Sequence, residues 1–249
     1  MSTFTVIPFP QYAFNPVHLS WSFAFFPFAG LVGAALAGVS LYVLRLLGMS
    51  IFFRAVTVLV VLILSSGAIH LDGFADTCDA LFSRRDRRAQ LEIMRDPHIG
   101  VYAVVGTVLL LSMALAAWTV ILATGRTLLA FASLLYGVFG RSLSGLYSAS
   151  LPSARREGMQ YAFRQKMPRK VRGFLVVILL LSTLAVVATA HWSGVIAVML
   201  SFLFFLYFCR FSARAFGGAT GDLAGFLLSV TEVGGWVVFS LTQALPVWY

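Results

Sequence analysis

The sequence predicts an all-α, polytopic membrane protein, a bundle of about six to seven transmembrane helices. Of its 249 residues, 60% are hydrophobic and only 11% are charged, and the mean hydropathy is +0.92. A soluble domain is closer to about 45–50% apolar and about 25% charged. The excess apolar surface must therefore face lipid. Arginines also gather in loops between the apolar runs, as they do in cytoplasmic loops.

Seven apolar runs come close to the roughly 20 residues that cross a hydrocarbon core of about 30 Å. They are approximately 21–47, 55–69, 101–123, 128–148, 174–190, 193–209 and 223–245. The second run is short unless it continues past His70, and the last contains Glu232. No low-complexity linker divides the chain, so residues 1–249 are predicted to form a single membrane domain.

The basic residues predict the orientation of these spans. Most of the 18 Lys and Arg residues fall in loops of about 70–98 and 149–172, with two more in 210–222. By the positive-inside rule, these loops and the N-terminus face the cytoplasm. The net charge of +9 therefore indicates anionic lipid headgroups and a phosphorylated substrate as partners, and not nucleic acid.

The placement of the carboxylates is the most informative feature of the sequence. The chain has nine acidic residues, and six of them fall within one stretch at the predicted cytoplasmic face. These six are Asp72, Asp76, Asp79, Asp86, Glu92 and Asp96. Concentrating acids in this way favours chemistry at one face of the membrane.

Asp72, Asp76 and Asp79 stand at i, i+4 and i+7, which places them on one face of a helix. Carboxylates stacked in this way repel one another unless a cation lies between them. Mg²⁺ prefers carboxylate oxygens and shares its remaining positions with water and substrate phosphates. The spacing therefore predicts a magnesium or catalytic site. The alternative is a solvated acidic face balanced by arginines, which suffices for Asp86 and Glu92.

A glycine-rich string precedes the last span and ends in an acid, Asp222. Its small residues Gly217 and Gly218, followed by Thr220, would allow backbone amides to approach a phosphate, and the following helix N-terminus favours an anion. The same glycines could instead permit close packing of helices. Because the string ends in an acid at the predicted inner face, we expect it to contribute to the site.

Two ionisable residues fall inside predicted spans, where a charge is costly unless it faces a polar site. Glu232 is expected to contact substrate, to support residues that do, or to be held neutral. Arg141 is expected to pair with an acid of the cluster or to bind phosphate, and snorkelling to the headgroups is the alternative. His70 and His98 flank the acidic stretch, and for both a structural and a functional role are equally compatible with the sequence.

These segments resemble the cobalamin synthase family, adenosylcobinamide-GDP ribazoletransferase. The segment from His70 to Phe82, HLDGFADTCDALF, is similar to the family's signature, and EIMRDPHIG from Glu92 is similar to its second block. FFPFAG, GRS and GGATGD follow the family's order. Cys78 and Ala80 differ from the pattern but preserve size. His98 stands where the pattern has Arg, which weakens the case for a phosphate contact there.

The resemblance implies that adenosylcobinamide-GDP and α-ribazole, or its 5′-phosphate, are joined with release of GMP. It implies Mg²⁺ as the cofactor, bound by Asp72, Asp76 and Asp79, with Asp79 and Asp222 as catalytic groups. It also implies a set of substrate- and phosphate-binding residues, namely His70, Arg84, Arg85, Arg88, Arg95, Asp96, Arg141, Gly217, Gly218, Thr220 and Glu232. A bacterial inner membrane is the implied location, and an oligomer is compatible with the sequence.

Two other classes are compatible with acids on membrane helices. A CDP-alcohol phosphotransferase also sets spaced aspartates over a divalent ion, but its pattern differs from the Asp72, Asp76 and Asp79 spacing. An ion-coupled transporter would use Asp72, Arg141 and Glu232 as intramembrane relay groups. Since most acids gather at one face, the sequence favours surface chemistry over transport.

Overall fold

The computed structural model describes residues 23–155, 161 and 168–244. Over these residues the chain is all-helical, as predicted, apart from an isolated parallel bridge between Ser153 and Ala219. The start of the first apolar run and much of the loop between the fourth and fifth runs lie outside the described residues. The helices are α1 (Phe26–Leu46), α2 (Ile51–Ser65), α3 (Ile69–Phe82), α4 (Arg87–Ile93), α5 (Val101–Ala123), α6 (Thr127–Ser150), α7 (Arg169–Ala215) and α8 (Gly221–Ala244).

Among the described residues, five helices are long and apolar enough to cross a membrane, and α2 with α3 makes a sixth candidate span, bent by 90°. The bend follows from a tight turn in which Gly67 and Ala68 both have positive φ. The bend separates an apolar helix from the acidic one. The second apolar run therefore does continue past His70, but in a new direction.

The 47-residue α7 is a helical hairpin with its turn at His191, whose φ of 52° is outside the helical range. A Cβ at Gly194 would lie 2.8 Å from the carbonyl oxygen of Val186, whereas residues eight apart on a straight helix are about 12 Å apart. The two arms therefore run antiparallel. They correspond to the fifth and sixth predicted runs, which the His191 turn separates as expected.

The central helix is α6, which the other long helices surround. Its Tyr136 and Phe139 belong to the main core together with Trp118, Trp236 and Phe239. The Trp236 indole donates to the carbonyl of Ser133 at 2.9 Å. This satisfies the polar atom of a buried tryptophan, and α8 is thereby fixed against α6.

The outer surface is apolar along α1, α5 and α7. Large side chains such as Leu109 and Leu184 are exposed by 61% and 67%. A continuous apolar surface of this kind is stable only against lipid or another apolar surface. We call the end of the bundle where α1, α5 and α8 begin the proximal end, and the end where α1 and α5 terminate the distal end.

Candidate active site at the proximal end

Close packing of α3 against the first turns of α8 builds the site. A Cβ at Gly73 would lie 2.9 Å from the Asp222 Cα, and a Cβ at Gly225 would lie 3.0 Å from the His70 carbonyl oxygen. Beside these contacts, the rings of Phe74 and Phe226 stack at 5.2 Å. The two glycines thus permit a backbone approach that sets one face of α3 against the start of α8. The acids of the two helices therefore share one end of the bundle.

Asp72, Asp76 and Asp222 form what we call the acidic cluster. Asp76 is half-buried and interacts electrostatically with both other carboxylates. Asp222, in the first turn of α8, also interacts with Asp72. Within the described part of the chain, the carboxylates of Asp72 and Asp76 accept no hydrogen bond, so their oxygens remain available to a ligand.

Arg155 supplies the positive charge beside this cluster. Its Nη1 donates to Asp222 Oδ2 at 3.2 Å, and its Nη2 donates to the Leu91 carbonyl at 3.0 Å. Burial lowers the pKa of the Arg155 guanidinium, and the adjacent Asp222 carboxylate opposes that effect. Arginine remains charged even so. The Thr220 side chain also hydrogen-bonds to the Asp222 carboxylate.

Asp79 has a structural task that its spacing did not predict. Its Oδ2 accepts from the Gly100 amide at 2.6 Å, and its Oδ1 accepts from the Ala103 amide at 2.9 Å. These amides belong to the start of α5, where the helix has no partners of its own for them. Asp79 therefore caps α5 from across the bundle, and both its oxygens are engaged.

Three further acids have local partners. Asp86 accepts from the Ala89 amide at 2.9 Å and so caps α4, whereas Glu92 pairs with Arg88 at 3.2 Å. Asp96 accepts from the amide of His98 and lies 2.6 Å from that ring's Nδ1. The His98 amide hydrogen bond lowers the pKa of Asp96. These contacts account for the three acids without any substrate.

The glycine-rich string is a packed connection. The Ala219 amide donates to the Pro152 carbonyl at 2.8 Å, and the Gly218 amide donates to the Ser212 carbonyl at 3.3 Å. Thr220, which is 2% exposed, accepts from the Leu223 amide and caps α8. The amides of Gly218 and Ala219 are thus already used. These two amides are not available to a phosphate, and a phosphate contact by the rest of the string stays a prediction.

Arg141 and Glu232 pair with each other below the cluster. Arg141 Nη1 lies 2.5 Å from Glu232 Oε1, and Arg141 is only 6% exposed. They line a cavity together with His70 and Ser229. Glu232 follows Asp222 by ten residues, or about 15 Å on an ideal helix. Arg141 therefore pairs with neither the acidic cluster nor the headgroups, because its charge is balanced by Glu232 inside the bundle, although its Nε is buried and has no hydrogen-bond partner among the described residues.

The remaining predicted phosphate ligands are surface arginines. Arg84 and Arg85 are exposed just beyond α3, and Arg88 is paired as described. Arg95 interacts electrostatically with Arg155. All four lie at the proximal end, around the cluster.

Two arginines near the cluster were not singled out from the sequence. Arg155 was only one of several basic residues in its loop, and its role depends on the bridge between Ser153 and Ala219. The Arg87 guanidinium lies against Gly217, where a Cβ would be 2.1 Å from Nη2. Both arginines contact a segment distant in sequence, and no local signal could have identified them.

Among the described residues, no three His, Cys, Asp or Glu side chains are grouped closely enough to hold a metal ion by themselves. A magnesium ion needs less than that, since one or two carboxylates suffice when waters and substrate phosphates complete its shell. Asp72 and Asp76, one helical turn apart with uncommitted oxygens, meet this requirement. These two carboxylates therefore fit a magnesium site that water and substrate phosphates complete.

The Gly73 contact leads to a prediction about folding. We expect Gly73→Ala to lower the free energy of unfolding by about 1–3 kcal/mol, because the new methyl meets rigid backbone of α8. The matched control is Gly234→Ala on α8, whose Cβ meets nothing within 4 Å. There the substitution should be neutral or stabilising by up to about 1 kcal/mol. Denaturant unfolding in detergent measures both, and equal stability of the two variants would contradict the described approach.

Comparison with known proteins adds independent information. A family model described as cobalamin-5-phosphate synthase matches residues 1–240. The chain is 38% identical to the adenosylcobinamide-GDP ribazoletransferase of Pseudomonas fluorescens over 88% of this chain and 87% of that protein. It is 29% identical to the Clostridium perfringens protein of the same name over 94% and 93% of the two chains. No solved structure matches the chain.

Proposed function

The chain belongs to the cobalamin-5-phosphate synthase family, and on that basis we propose that it is an adenosylcobinamide-GDP ribazoletransferase. It joins adenosylcobinamide-GDP to α-ribazole or its 5′-phosphate and releases GMP. The alignments with the relatives that carry this name cover most of this chain and most of each relative. The proposal also assigns the chemistry to the proximal end of the bundle.

The observation that carries this assignment is the sorting of the acids. Five of the described acids have a hydrogen-bond or ion-pair partner within the protein that gives each a structural role, namely Asp79, Asp86, Glu92, Asp96 and Glu232. Asp72 and Asp76 accept no hydrogen bond among the described residues, and Asp222 lies beside them on another helix, where Arg155 and Thr220 hydrogen-bond to its carboxylate. Holding like charges together without a cation is unfavourable. Among the described acids, the acidic cluster is therefore best suited to bind a phosphate-bridging metal.

Asp72 and Asp76 would hold Mg²⁺, and Asp222 would stand beside the ion without being one of its ligands. When bound, the ion neutralises charge on the pyrophosphate and holds it for in-line displacement. Arg155 holds Asp222 through Oδ2 and so fixes this carboxylate beside Asp72. It also brings a fixed positive charge to where phosphate oxygens would lie. The surface arginines Arg84 and Arg85 attract the anionic substrate to this end.

The reaction needs positioning more than it needs a covalent nucleophile. A ribose hydroxyl of α-ribazole attacks the phosphorus that carries cobinamide. An oxygen–phosphorus bond forms, the bond from that phosphorus to the bridging oxygen breaks, and GMP departs with that oxygen. The Asp222 carboxylate accepts the hydroxyl proton and later passes it to water.

The distribution of charge supports a cytoplasmic site in the bacterial inner membrane. Most of the described basic residues gather at the proximal end, and α1 also begins there. By the positive-inside rule this end faces the cytoplasm. The N-terminus then lies on the side where nucleotide-linked substrates occur.

The direct test is nucleotide release by the purified protein in liposomes. We expect GMP and a cobamide from adenosylcobinamide-GDP and α-ribazole, with turnover abolished by EDTA and restored by Mg²⁺. CDP-alcohol substrates should release no CMP. Release of CMP without GMP would instead indicate a phospholipid phosphotransferase. Solute uptake by the same liposomes without nucleotide would indicate a transporter.

A further inference from the structure

A second charged pocket lies at the distal end of the bundle, away from the acidic cluster. Arg45 from the end of α1, Arg54 from the start of α2 and Arg126 from the turn before α6 line one cavity of about 450 Å³. We call it the arginine pocket. Its described lining contains three guanidinium groups and no carboxylate.

The polar atoms of the arginine pocket are incompletely satisfied. Arg54 Nε is buried and makes no hydrogen bond within the described part of the chain. Arg126 Nη1 donates to Gln243 Oε1 at 2.8 Å, which is a neutral acceptor. A guanidinium has five donors and no acceptor. Three such groups around one cavity therefore favour an anion with several oxygens, and phosphate matches their geometry.

The position of these arginines supports a bound anion. Arginines are depleted on the non-cytoplasmic side of membrane proteins, and the proposed orientation places the distal end on that side. Like charges brought together there repel one another unless they are compensated. Retaining three of them around one cavity is explained if an anion is bound there.

The walls of the pocket distinguish a lipid from a soluble anion. Leu41 and Leu122 line it, as do Tyr42 and Phe131, which are 65% and 50% exposed. These side chains continue the apolar outer surface of the bundle. A free phosphate gains nothing from contact with apolar side chains, whereas the acyl chains of a lipid pack against them.

We propose that the arginine pocket binds the headgroup phosphate of an anionic phospholipid, with the acyl chains along α1 and α6. A zwitterionic lipid is a poorer ligand because its choline cation would lie among the arginines. The inference uses the proposed orientation of the bundle, but it does not depend on the reaction at the proximal end.

Native mass spectrometry of the full protein in detergent tests this with phosphatidylglycerol, phosphatidylcholine and inorganic phosphate as probes. The wild type should retain phosphatidylglycerol in preference to phosphatidylcholine. Each neutralised arginine should weaken retention about fivefold, as expected for one basic residue facing an anionic lipid. The variants are Arg54→Gln and Arg126→Gln. Because Arg126 is exposed, Arg126→Gln should fold and keeps the test possible if Arg54→Gln does not fold. Arg210→Gln, an exposed arginine on α7, is the control with the same charge change.

Weaker retention of phosphatidylglycerol in Arg54→Gln and Arg126→Gln, but not in Arg210→Gln, would support the assignment. Equal retention by all the proteins would overturn it. Equal retention of phosphatidylcholine would show that the anionic headgroup is not recognised. Displacement of the lipid by millimolar inorganic phosphate would overturn the lipid assignment in favour of a free-phosphate site.

Discussion

Replacement of Asp76 by asparagine is expected to lower GMP release on the order of 100- to 1000-fold, the loss typical of one preorganised electrostatic contact to a transition state. Asp76 is half-buried beside Asp72 and Asp222, and asparagine keeps its shape while removing its charge. Like-charge repulsion within the cluster also falls. The variant should therefore unfold at the same denaturant concentration as the wild type, or at a higher one.

Asp86→Asn is the matched control for this experiment. Asp86 is exposed and caps α4, and asparagine is an equally good cap. GMP release by Asp86→Asn should match that of the wild type under the same Mg²⁺ concentration. Near-normal turnover in a folded Asp76→Asn protein would remove the acidic cluster from the mechanism.

Breaking the ion pair between Arg141 and Glu232 is expected to destabilise the protein by about 3–5 kcal/mol, because the partner left behind is a buried, uncompensated charge. The Arg141 side chain is 7% exposed and the Glu232 side chain is 15% exposed. We expect this cost for Arg141→Met and for Glu232→Leu taken singly. The double variant should recover most of it, since an apolar pair of similar volume leaves no buried charge.

A double-mutant cycle on the free energy of unfolding measures the coupling of the pair. Arg88→Met, which breaks the exposed pair with Glu92, is the control and should change stability little. GMP release by the double variant separates two roles for Arg141. A stable and active double variant means that the pair is structural, whereas a stable but inactive one means that Arg141 or Glu232 also contacts substrate. Single variants as stable as the wild type would contradict the buried pair.

The span pattern could be predicted from the sequence because lipid imposes length and apolarity on each crossing helix. The third predicted run coincides with α5, Val101–Ala123. The turn between the fifth and sixth runs also lies where His191 interrupts the apolar pattern. The bend between α2 and α3 was not predicted, since it depends on the positive φ of Gly67 and Ala68 and not on hydropathy.

The sequence locates the acids, but it does not show which of them are structural caps and which are candidate metal ligands. The i, i+4, i+7 spacing places Asp79 on the same face as Asp72 and Asp76, yet the amides of Gly100 and Ala103 engage it. Such partners lie more than 20 residues away along the chain, and helix periodicity carries no information about them. The spacing therefore indicates an acidic face, and only the packing distinguishes a cap from a candidate ligand.

The partner of Arg141 was missed for a related reason. Gly137 and Gly140 let α8 approach α6, so that Cβ atoms at these positions would lie 3.2 Å from Glu232 side-chain atoms. The sequence could offer only nearby acids or the headgroups as partners. The actual partner of Arg141 is Glu232, which close contact between α6 and α8 brings beside it.

The most direct test of the acidic cluster as the metal site is binding of Mn²⁺, followed by electron paramagnetic resonance in the presence of adenosylcobinamide-GDP. The substrate is included because its phosphates are expected to complete the coordination shell. We predict a bound ion, displaced by Mg²⁺, in the wild type and in Asp86→Asn, and its loss in Asp76→Asn. Equal Mn²⁺ binding by all three proteins would contradict the assignment of the metal to Asp72 and Asp76.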